Sequence, residues 1–209
     1  MAITFLERLE QLSELAEIKR IYASVESALS HKTPISLVVT SSLPGEGKTT
    51  LVMLLAALAS RRNSSKVLAV DLNWKTPMLH KYLELVPTPG PLELDRAQPS
   101  GFHHLDVLVA RPVHGDCPSG DDEYQTVTDL MQKAKQGYDL TIIDTASVFP
   151  INHCMVDPVT LAKSADGTVL MVLANKTPRQ EIKRASTILS TVGANVVGLV
   201  MNHWKNPIV

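Results

Sequence analysis

The sequence predicts an α/β fold in which a mostly parallel β-sheet is covered by helices on both faces. Six short apolar runs, typical of buried strands, alternate along the 209 residues with segments of helical periodicity. Strands that alternate with helices in this way form parallel sheets, because parallel neighbours need a crossover connection. A glycine-rich segment, residues 41–50, joins the first run to the helical segment after it. Ligands of such sheets bind at the carboxyl ends of the strands.

Residues 4–30 are predicted to form one helix. No glycine or proline interrupts them, and apolar residues recur at spacings of three or four between Glu, Lys and Arg. Those apolar residues are Phe5, Leu9, Leu12, Leu15, Ile18, Tyr22, Val25 and Leu29. Two interpretations remain open: the helix packs on the domain, or it contacts another subunit or a partner.

The later elements follow in chain order from the same patterns. The predicted strands are residues 35–40, 66–71, 105–110, 138–144, 167–174 and 195–202. The predicted helices are residues 51–59, 77–85, 121–136, 156–164 and 178–192, and Pro178 suits a first helical turn. Residues 86–101 and 111–120 are rich in proline and glycine and are predicted to be loops.

Residues 41–50 have the pattern of a phosphate-binding loop. Gly45 and Gly47 allow a tight turn and a close approach of the backbone to an anion. Backbone N–H groups of the loop and of the next helix then point at the phosphates. Lys48 is expected to contact the β- and γ-phosphates, and the Thr49 hydroxyl to bind Mg²⁺. The predicted nucleotide-binding residues here are Pro44, Gly45, Glu46, Gly47, Lys48, Thr49 and Thr50.

The alternative is a glycine-rich turn that only caps a helix. It does not explain why a lysine and a hydroxyl both follow Gly47. The sequence therefore predicts a P-loop NTPase that binds ATP and Mg²⁺. Residues 1–30 form its N-terminal helix in this prediction, and residues 31–209 form a single nucleotide-binding domain.

Two predicted strands end in aspartate, Asp71 and Asp144. A carboxylate at the end of a buried strand is costly unless a cation lies nearby, and Mg²⁺ at the loop supplies one. Asp144 is expected to hold Mg²⁺, and Asp71 to bind the metal and to orient or deprotonate the attacking group. The alternative for either residue alone is a helix cap or a loop acid. Lys48, Asp71 and Asp144 are the predicted catalytic residues.

Asn202 ends the last predicted strand. Its amide can both donate to and accept from the edge of an adenine base, so it is a further candidate for nucleotide binding. A turn asparagine is the alternative.

Charge and cysteine content argue against a nucleic-acid-binding protein and against a fold held together by disulfides. Lys and Arg number 20 and Asp and Glu number 21, a formal net charge of −1, which argues against a nucleic-acid partner. Cys117 and Cys154 are far apart and favour a reducing compartment. The N-terminus has no secretory pattern, and no apolar run reaches the ~20 residues of a membrane span. A cytoplasmic protein is expected, with any membrane role supplied by a partner.

With these motifs placed, the chain resembles the bacterial tyrosine kinases of capsule and exopolysaccharide synthesis, a group within the MinD/ParA-like P-loop ATPases. The resemblance extends from about Glu17 to Asn202. It is carried by residues 40–50 (TSSLPGEGKTT), by residues 67–80 (VLAVDLNWKTPMLH), similar to the family pattern VDxDxRxPxLH, and by residues 138–145 (YDLTIIDT). Asp157, the Ala165-Asp166-Gly167 turn and the GLVMN ending also fit. Leu43 stands where MinD and ParA proteins carry a signature lysine, which favours the kinase branch.

Departures from the family pattern limit what the resemblance implies. Asn73 replaces the second acid of the VDxDxR segment, and Lys75 replaces its arginine. In the oligomerising Glu-x-x-Arg-x-x-Arg helix of the family, Glu17 and Arg20 match but Ala23 replaces the last arginine. The family's tyrosine-rich tail, which is phosphorylated between subunits, has no counterpart here.

The resemblance implies a cytoplasmic kinase that transfers the ATP γ-phosphate to tyrosine with Mg²⁺. It further implies homo-oligomers and a membrane-anchored activator of the polysaccharide co-polymerase type, which recruits the kinase to the inner face of the membrane. The alternative is a regulatory MinD/ParA-like ATPase switch with little or no kinase activity. Asn73 and the missing tail favour the alternative, while Lys48 and Thr49 serve ATP binding in both.

Overall fold

The structure is a computed structural model and describes residues 4–30, 33–62, 65–74, 76–87, 92–109, 121–149 and 156–203, with only the backbone for residues 121–124. Within these residues, seven strands form one sheet in the order β3-β4-β2-β5-β1-β6-β7. They are β1 (Ile35–Ser41), β2 (Val67–Asp71), β3 (Gln98–Pro99), β4 (Leu105–Val109), β5 (Leu140–Asp144), β6 (Gly167–Leu173) and β7 (Val196–Asn202). All pairs are parallel except β3–β4.

The helices cover both faces of the sheet. They are α1 (Phe5–Ser13), α2 (Ala16–Ala28), α3 (Lys48–Arg61), α4 (Leu79–Tyr82), α5 (Asp121–Ala134), α6 (Pro158–Ser164) and α7 (Arg179–Thr191). On β1, Leu37 and Val39 pack into the core beneath α1 to α4, whereas Val38 packs into the core beneath α5 to α7. Because successive side chains of a strand point to opposite faces, the two cores lie on opposite sides. The predicted parallel α/β fold is confirmed.

The prediction of one helix over residues 4–30 was wrong. The chain breaks between α1 and α2, where Leu15 is extended with ψ 143°. Arg61 at the end of α3 binds the carboxylates of Glu10 and Glu14 at 2.8 Å each. A straight helix over residues 4–30 would have 27 residues and be about 40 Å long, whereas the 14 residues of α3 span about 21 Å. The break lets both short helices lie on α3.

The predicted loop over residues 86–101 contains a strand that periodicity did not predict. Gln98 and Pro99 pair antiparallel with β4 at the edge of the sheet, where a proline is tolerated because one side of the strand needs no donor. Leu94–Arg96 form a 3₁₀ turn before it. Helix α4 is also shorter than predicted. Lys75, Cys117, Cys154 and the loop at 111–120 lie outside the described residues.

The strand order places the carboxyl ends of β1, β2 and β5 side by side. Strand β5 lies between β1 and β2, so that Asp144 is in register with both Val39 and Asp71. The segment after β1 therefore starts next to both strand-end aspartates. No helix among the described residues is long and apolar enough to cross a membrane.

Candidate nucleotide-binding site

Glycines shape the segment between β1 and α3. Gly45 and Gly47 have φ of +77° and +97°, in the left-handed region that side chains disfavour. A Cβ at Gly47 would also lie 2.6 Å from Asn202 Nδ2, whereas a Cβ at Gly45 would meet nothing within 4 Å. Gly47 is thus required by conformation and by close packing, and Gly45 by conformation alone. Pro44 and Gly45 are exposed at the tip of the loop, and Thr50 is exposed on the first turn of α3.

Helix α3 begins directly at Lys48, with Gly47 at its N-cap position and no side-chain hydrogen bond to the cap. The first N–H groups of a helix have no partner within the helix, and they carry the positive end of its dipole. This end of α3 therefore suits an anion, as the glycine pattern predicted.

Lys48 is 7% exposed, and its Nζ donates to Ser41 Oγ at 2.9 Å. Ser41 Oγ in turn donates to the carbonyl of Leu43 at 2.7 Å. Burial lowers the pKa of Lys48, while the nearby charges of Asp144 and Glu46 act in the opposite direction. Ser41 was not predicted as a site residue. Its hydroxyl, at the end of the strand that precedes the loop, is the sequence feature that could have indicated it.

Thr49 and Asp144 lie together, with Thr49 Oγ1 donating to Asp144 Oδ2 at 2.5 Å; that they bind Mg²⁺ stays a prediction. Asp144 is fully buried, and its Oδ1 meets no donor in hydrogen-bond geometry among the described residues. Burial raises the pKa of Asp144, as does the charge of Asp71; the Thr49 hydrogen bond, the Lys48 charge and the backbone N–H of Thr145 oppose them. A buried carboxylate oxygen without a partner is costly, and a cation satisfies it. Hydroxyl and carboxylate oxygens are ligands that suit Mg²⁺, so these two residues fit the metal.

Asp71 is also fully buried, but its surroundings differ. Its Oδ1 accepts the N–H of Asn73 at 3.0 Å, and its Oδ2 accepts those of Met78 at 2.8 Å and Leu79 at 3.0 Å. Burial raises the pKa of Asp71, and the three backbone hydrogen bonds oppose that rise. Asp71 therefore holds the segment that connects β2 to α4. Its predicted part in metal binding and activation stays a prediction.

Glu46 and Asn202 make contacts that the sequence did not reveal. Asn202 Nδ2 donates to the carbonyl oxygen of Glu46 at 3.1 Å. The Glu46 side chain is 2% exposed; its Oε2 accepts the N–H of Leu43 at 3.0 Å, and its Oε1 accepts the hydroxyl of Thr177. Asn202 thus lies at the loop, while adenine binding by its amide stays a prediction. Thr177 was missed because it lies 131 residues from Glu46 in the sequence.

Comparison with known proteins identifies relatives of the chain. No model of a known family matches it. Tyrosine-protein kinase YwqD of Bacillus subtilis (strain 168) is 28% identical over 197 residues, which are 90% of this chain and 81% of that protein. Putative tyrosine-protein kinase CapB of Staphylococcus aureus is 28% identical over 181 residues, 83% of this chain and 76% of that protein.

The chain resembles the bacterial tyrosine kinases. This confirms the resemblance inferred from its motifs. Solved structures agree with it at the level of the fold. The chimerical protein CapA2B2 has a TM-score of 0.76 at 22% identity, covering 90% of this chain and 85% of that one. The kinase domain of Escherichia coli tyrosine kinase ETK has a TM-score of 0.74 at 21% identity, covering 88% and 73%.

A more distant structural neighbour of the chain is the septum site-determining protein MinD of Pyrococcus horikoshii OT3, complexed with Mg-ADP. Its TM-score is 0.63 at 18% identity, covering 83% of this chain and 72% of that one. At such identities the likeness establishes the fold. The chain therefore has the P-loop NTPase fold that its glycine loop predicted.

Proposed function

We propose that the chain binds ATP with Mg²⁺ at residues 41–50 and transfers the γ-phosphate to a tyrosine hydroxyl of a protein substrate. The observation that carries the proposal is the meeting of Lys48, Thr49 and Asp144 at the uncapped start of α3. The similarity to two tyrosine-protein kinases over more than 80% of the chain supports the choice of reaction.

The residues divide the chemistry among them. Bound Mg²⁺ supplies positive charge that offsets the charge on the phosphate oxygens. Thr49 and Asp144 would hold that ion, directly or through water, and the Lys48 ammonium would stabilise the transferring group. Asp71 would orient the tyrosine hydroxyl and accept its proton. A bond forms between the tyrosine oxygen and the γ-phosphorus, and the bond from that phosphorus to the bridging oxygen breaks as ADP leaves.

The substrate tyrosine is proposed to belong to another polypeptide. Tyr22 is only 8% exposed, and burial raises its pKa. The Tyr138 hydroxyl donates to Asp106 at 2.9 Å, and the ring of Tyr82 stacks on Phe5 at 5.1 Å. Among tyrosines with described side chains, each is therefore engaged within the fold, which makes it a poor acceptor of phosphate.

Location and partners belong to the same proposal. As the family resemblance implies, the chain would act in the cytoplasm on exopolysaccharide or capsule synthesis. A membrane-anchored activator of the polysaccharide co-polymerase type would bring it to the inner face of the membrane, and copies of the chain would associate as homo-oligomers. The similarity to the kinases YwqD and CapB supports this proposal.

One observation favours the regulatory ATPase switch as a second candidate. Asn73 replaces an acid of the family pattern. Asp71 is the acid that remains in the segment, and both of its carboxylate oxygens accept hydrogen bonds from backbone N–H groups. An amide at position 73 can accept a hydrogen bond but carries no charge for Mg²⁺. In this case, nucleotide would order the loops and control docking on a membrane partner.

Incubation of the pure chain with Mg²⁺ and γ-labelled ATP tests the two candidates. The reaction is run with and without the cytoplasmic fragment of a candidate activator, and with Lys48→Ala as the inactive control. Label on tyrosine supports the kinase, and released phosphate without labelled tyrosine supports the switch. If the chain neither binds ATP nor turns it over under any of these conditions, both candidates fail.

A further inference from the structure

We infer that Asn202 and Thr177 are positioning residues that fix the peptide unit between Glu46 and Gly47, so that its N–H faces the phosphates. This role depends on the proposed binding of ATP at the loop. It also gives Asn202 a task that is separate from recognition of a base.

The backbone side of this arrangement is the carbonyl of Glu46. The carbonyl oxygen accepts Asn202 Nδ2 at 3.1 Å. In a trans peptide unit the C=O and the following N–H point in opposite directions, so the N–H of Gly47 is directed away from Asn202. If the unit turned over, a carbonyl oxygen would replace an N–H beside the phosphates and repel them. Gly47 permits the close approach, since a Cβ there would lie 2.6 Å from Asn202 Nδ2.

The side chain of Glu46 is fixed separately. Glu46 as a whole is 2% exposed, and its carboxylate forms no ion pair with a described residue. It is held by the N–H of Leu43 and by the hydroxyl of Thr177. Thr177 Oγ1 is itself held in place, because it accepts the N–H of Leu173 at 2.9 Å at the end of β6. The ends of β6 and β7 thus both position Glu46 and keep its negative charge from turning toward a phosphate.

Inorganic triphosphate separates positioning from base recognition, because it has the phosphates of ATP without the base. The affinities of Mg²⁺·ATP and Mg²⁺·triphosphate are measured by calorimetry for the unaltered chain and for Asn202→Leu, which removes the donor at similar size. Positioning predicts that both ligands weaken by the same factor, about tenfold for one lost hydrogen bond. Base recognition alone predicts that only ATP weakens.

A second variant pair tests Thr177 and also protects the test if Asn202→Leu fails to fold. Thr177→Val removes the hydroxyl and should weaken both ligands, whereas Thr177→Ser keeps it and should bind nearly as the unaltered chain does. Thr191→Val is the matched control, because Thr191 is exposed on α7 and its hydroxyl donates only to the Thr187 carbonyl, at 2.8 Å. Circular dichroism reports whether each variant is folded.

The outcomes distinguish this inference from the proposed function. If the unaltered chain binds neither ligand, the proposed function fails, and the inference fails with it. If the unaltered chain binds both, and the Asn202→Leu loss is confined to ATP, the inference is wrong while the function stands. Unchanged triphosphate affinity in Thr177→Val would overturn the role of Thr177. Equal losses for both ligands, with rescue by Thr177→Ser, support it.

Discussion

Asp71 and Asp144 show how two residues of one type, in register on neighbouring strands, acquire different chemistry. Asp71 meets three backbone donors, whereas Asp144 meets the hydroxyl of Thr49 and keeps one buried oxygen without a donor among the described residues. A buried oxygen without a donor costs more free energy than one that accepts hydrogen bonds. Of the two aspartates, Asp144 is therefore the better candidate for binding Mg²⁺.

Lys48→Ala should remove the ammonium that we propose faces the phosphates. We expect the dissociation constant of Mg²⁺·ATP to rise at least about a hundredfold, because charge-assisted hydrogen bonds to phosphate are strong. Calorimetric titration measures the change. Lys163→Ala, at an exposed lysine of α6, is the control and should bind as the unaltered chain does. Unchanged affinity in Lys48→Ala would refute the assignment of the phosphate loop.

Asp71→Asn should impair turnover more than binding. The amide cannot accept the proton of the attacking group, so we expect kcat to fall about a hundredfold or more, while the ATP dissociation constant changes by less than about threefold. Because the amide also places N–H groups where backbone N–H groups now donate, the Tm should fall as well, and turnover is measured well below it. Asp139→Asn is the control, since Asp139 accepts the Lys66 N–H at 2.8 Å at the other end of the sheet. Turnover that survives the change would mean that Asp71 is not the activating acid.

At the scale of elements, Asp166 connects three of them. It precedes β6, and its Oδ2 accepts the N–H of Ser36 on β1 at 2.7 Å and the Ser36 hydroxyl at 2.6 Å. Lys135, just after α5, approaches the same oxygen at 2.8 Å. One carboxylate thereby ties the amino ends of β1 and β6 to the end of a helix on the face opposite α3.

Asp166→Asn should reduce the free energy of unfolding at neutral pH by about 1–2 kcal/mol, a modest figure because the ion pair is partly exposed. Burial alone would raise the pKa of Asp166, but hydrogen bonds from Lys135 and Ser36 outweigh it and lower the pKa from its ordinary value. A lowered folded-state pKa stabilises the fold above the unfolded value, and that stabilisation is lost as the pH falls through the folded value. Urea unfolding of both proteins at pH 7 and near pH 3 measures this. A difference between the two proteins that does not shrink in acid would contradict the prediction.

The N-terminal helices show where local pattern loses its predictive power. The periodicity of residues 4–30 correctly predicts helix, but the apolar residues behind it divide: Leu9, Tyr22 and Val25 are buried, whereas Phe5, Leu12 and Leu15 are exposed. It cannot predict the break at Leu15, because the break depends on the length of α3 and on the contact between Arg61 and Glu14. These two residues are 47 positions apart in the chain. Propensity decides the type of element, and tertiary packing decides where it ends.

At the scale of the whole molecule, local motifs predict some residues of the site, whereas tertiary packing decides its other contacts. Thr49 and Asp144 were each predictable as candidate site residues from their own motifs, and they meet because β1 and β5 are neighbours. The contacts of Glu46 with Thr177 and Asn202 were not, since they span 131 and 156 residues and neither partner lies in a motif that names the other. Such contacts depend on the order of the strands, which periodicity does not specify.

Ligand binding should stabilise the molecule as a whole, because the site is assembled from β1, α3 and β5 and exists only when they are folded together. Mg²⁺·ATP at a hundred times its dissociation constant should add about 2.7 kcal/mol to the free energy of unfolding. For a chain of 209 residues this corresponds to a rise in Tm of roughly 5–10 °C.

A thermal melt followed by circular dichroism, with Mg²⁺·ATP, with ATP and EDTA, and without nucleotide, measures this stabilisation. Removing Mg²⁺ should reduce the shift, because Asp144 Oδ1 then lacks the cation that we expect to satisfy it. Lys48→Ala should show little shift at the same ligand concentration. An equal rise in Tm for Lys48→Ala would mean that the nucleotide binds elsewhere on the molecule. An equal rise in Tm in the presence of EDTA would mean that Thr49 and Asp144 do not bind the nucleotide through Mg²⁺.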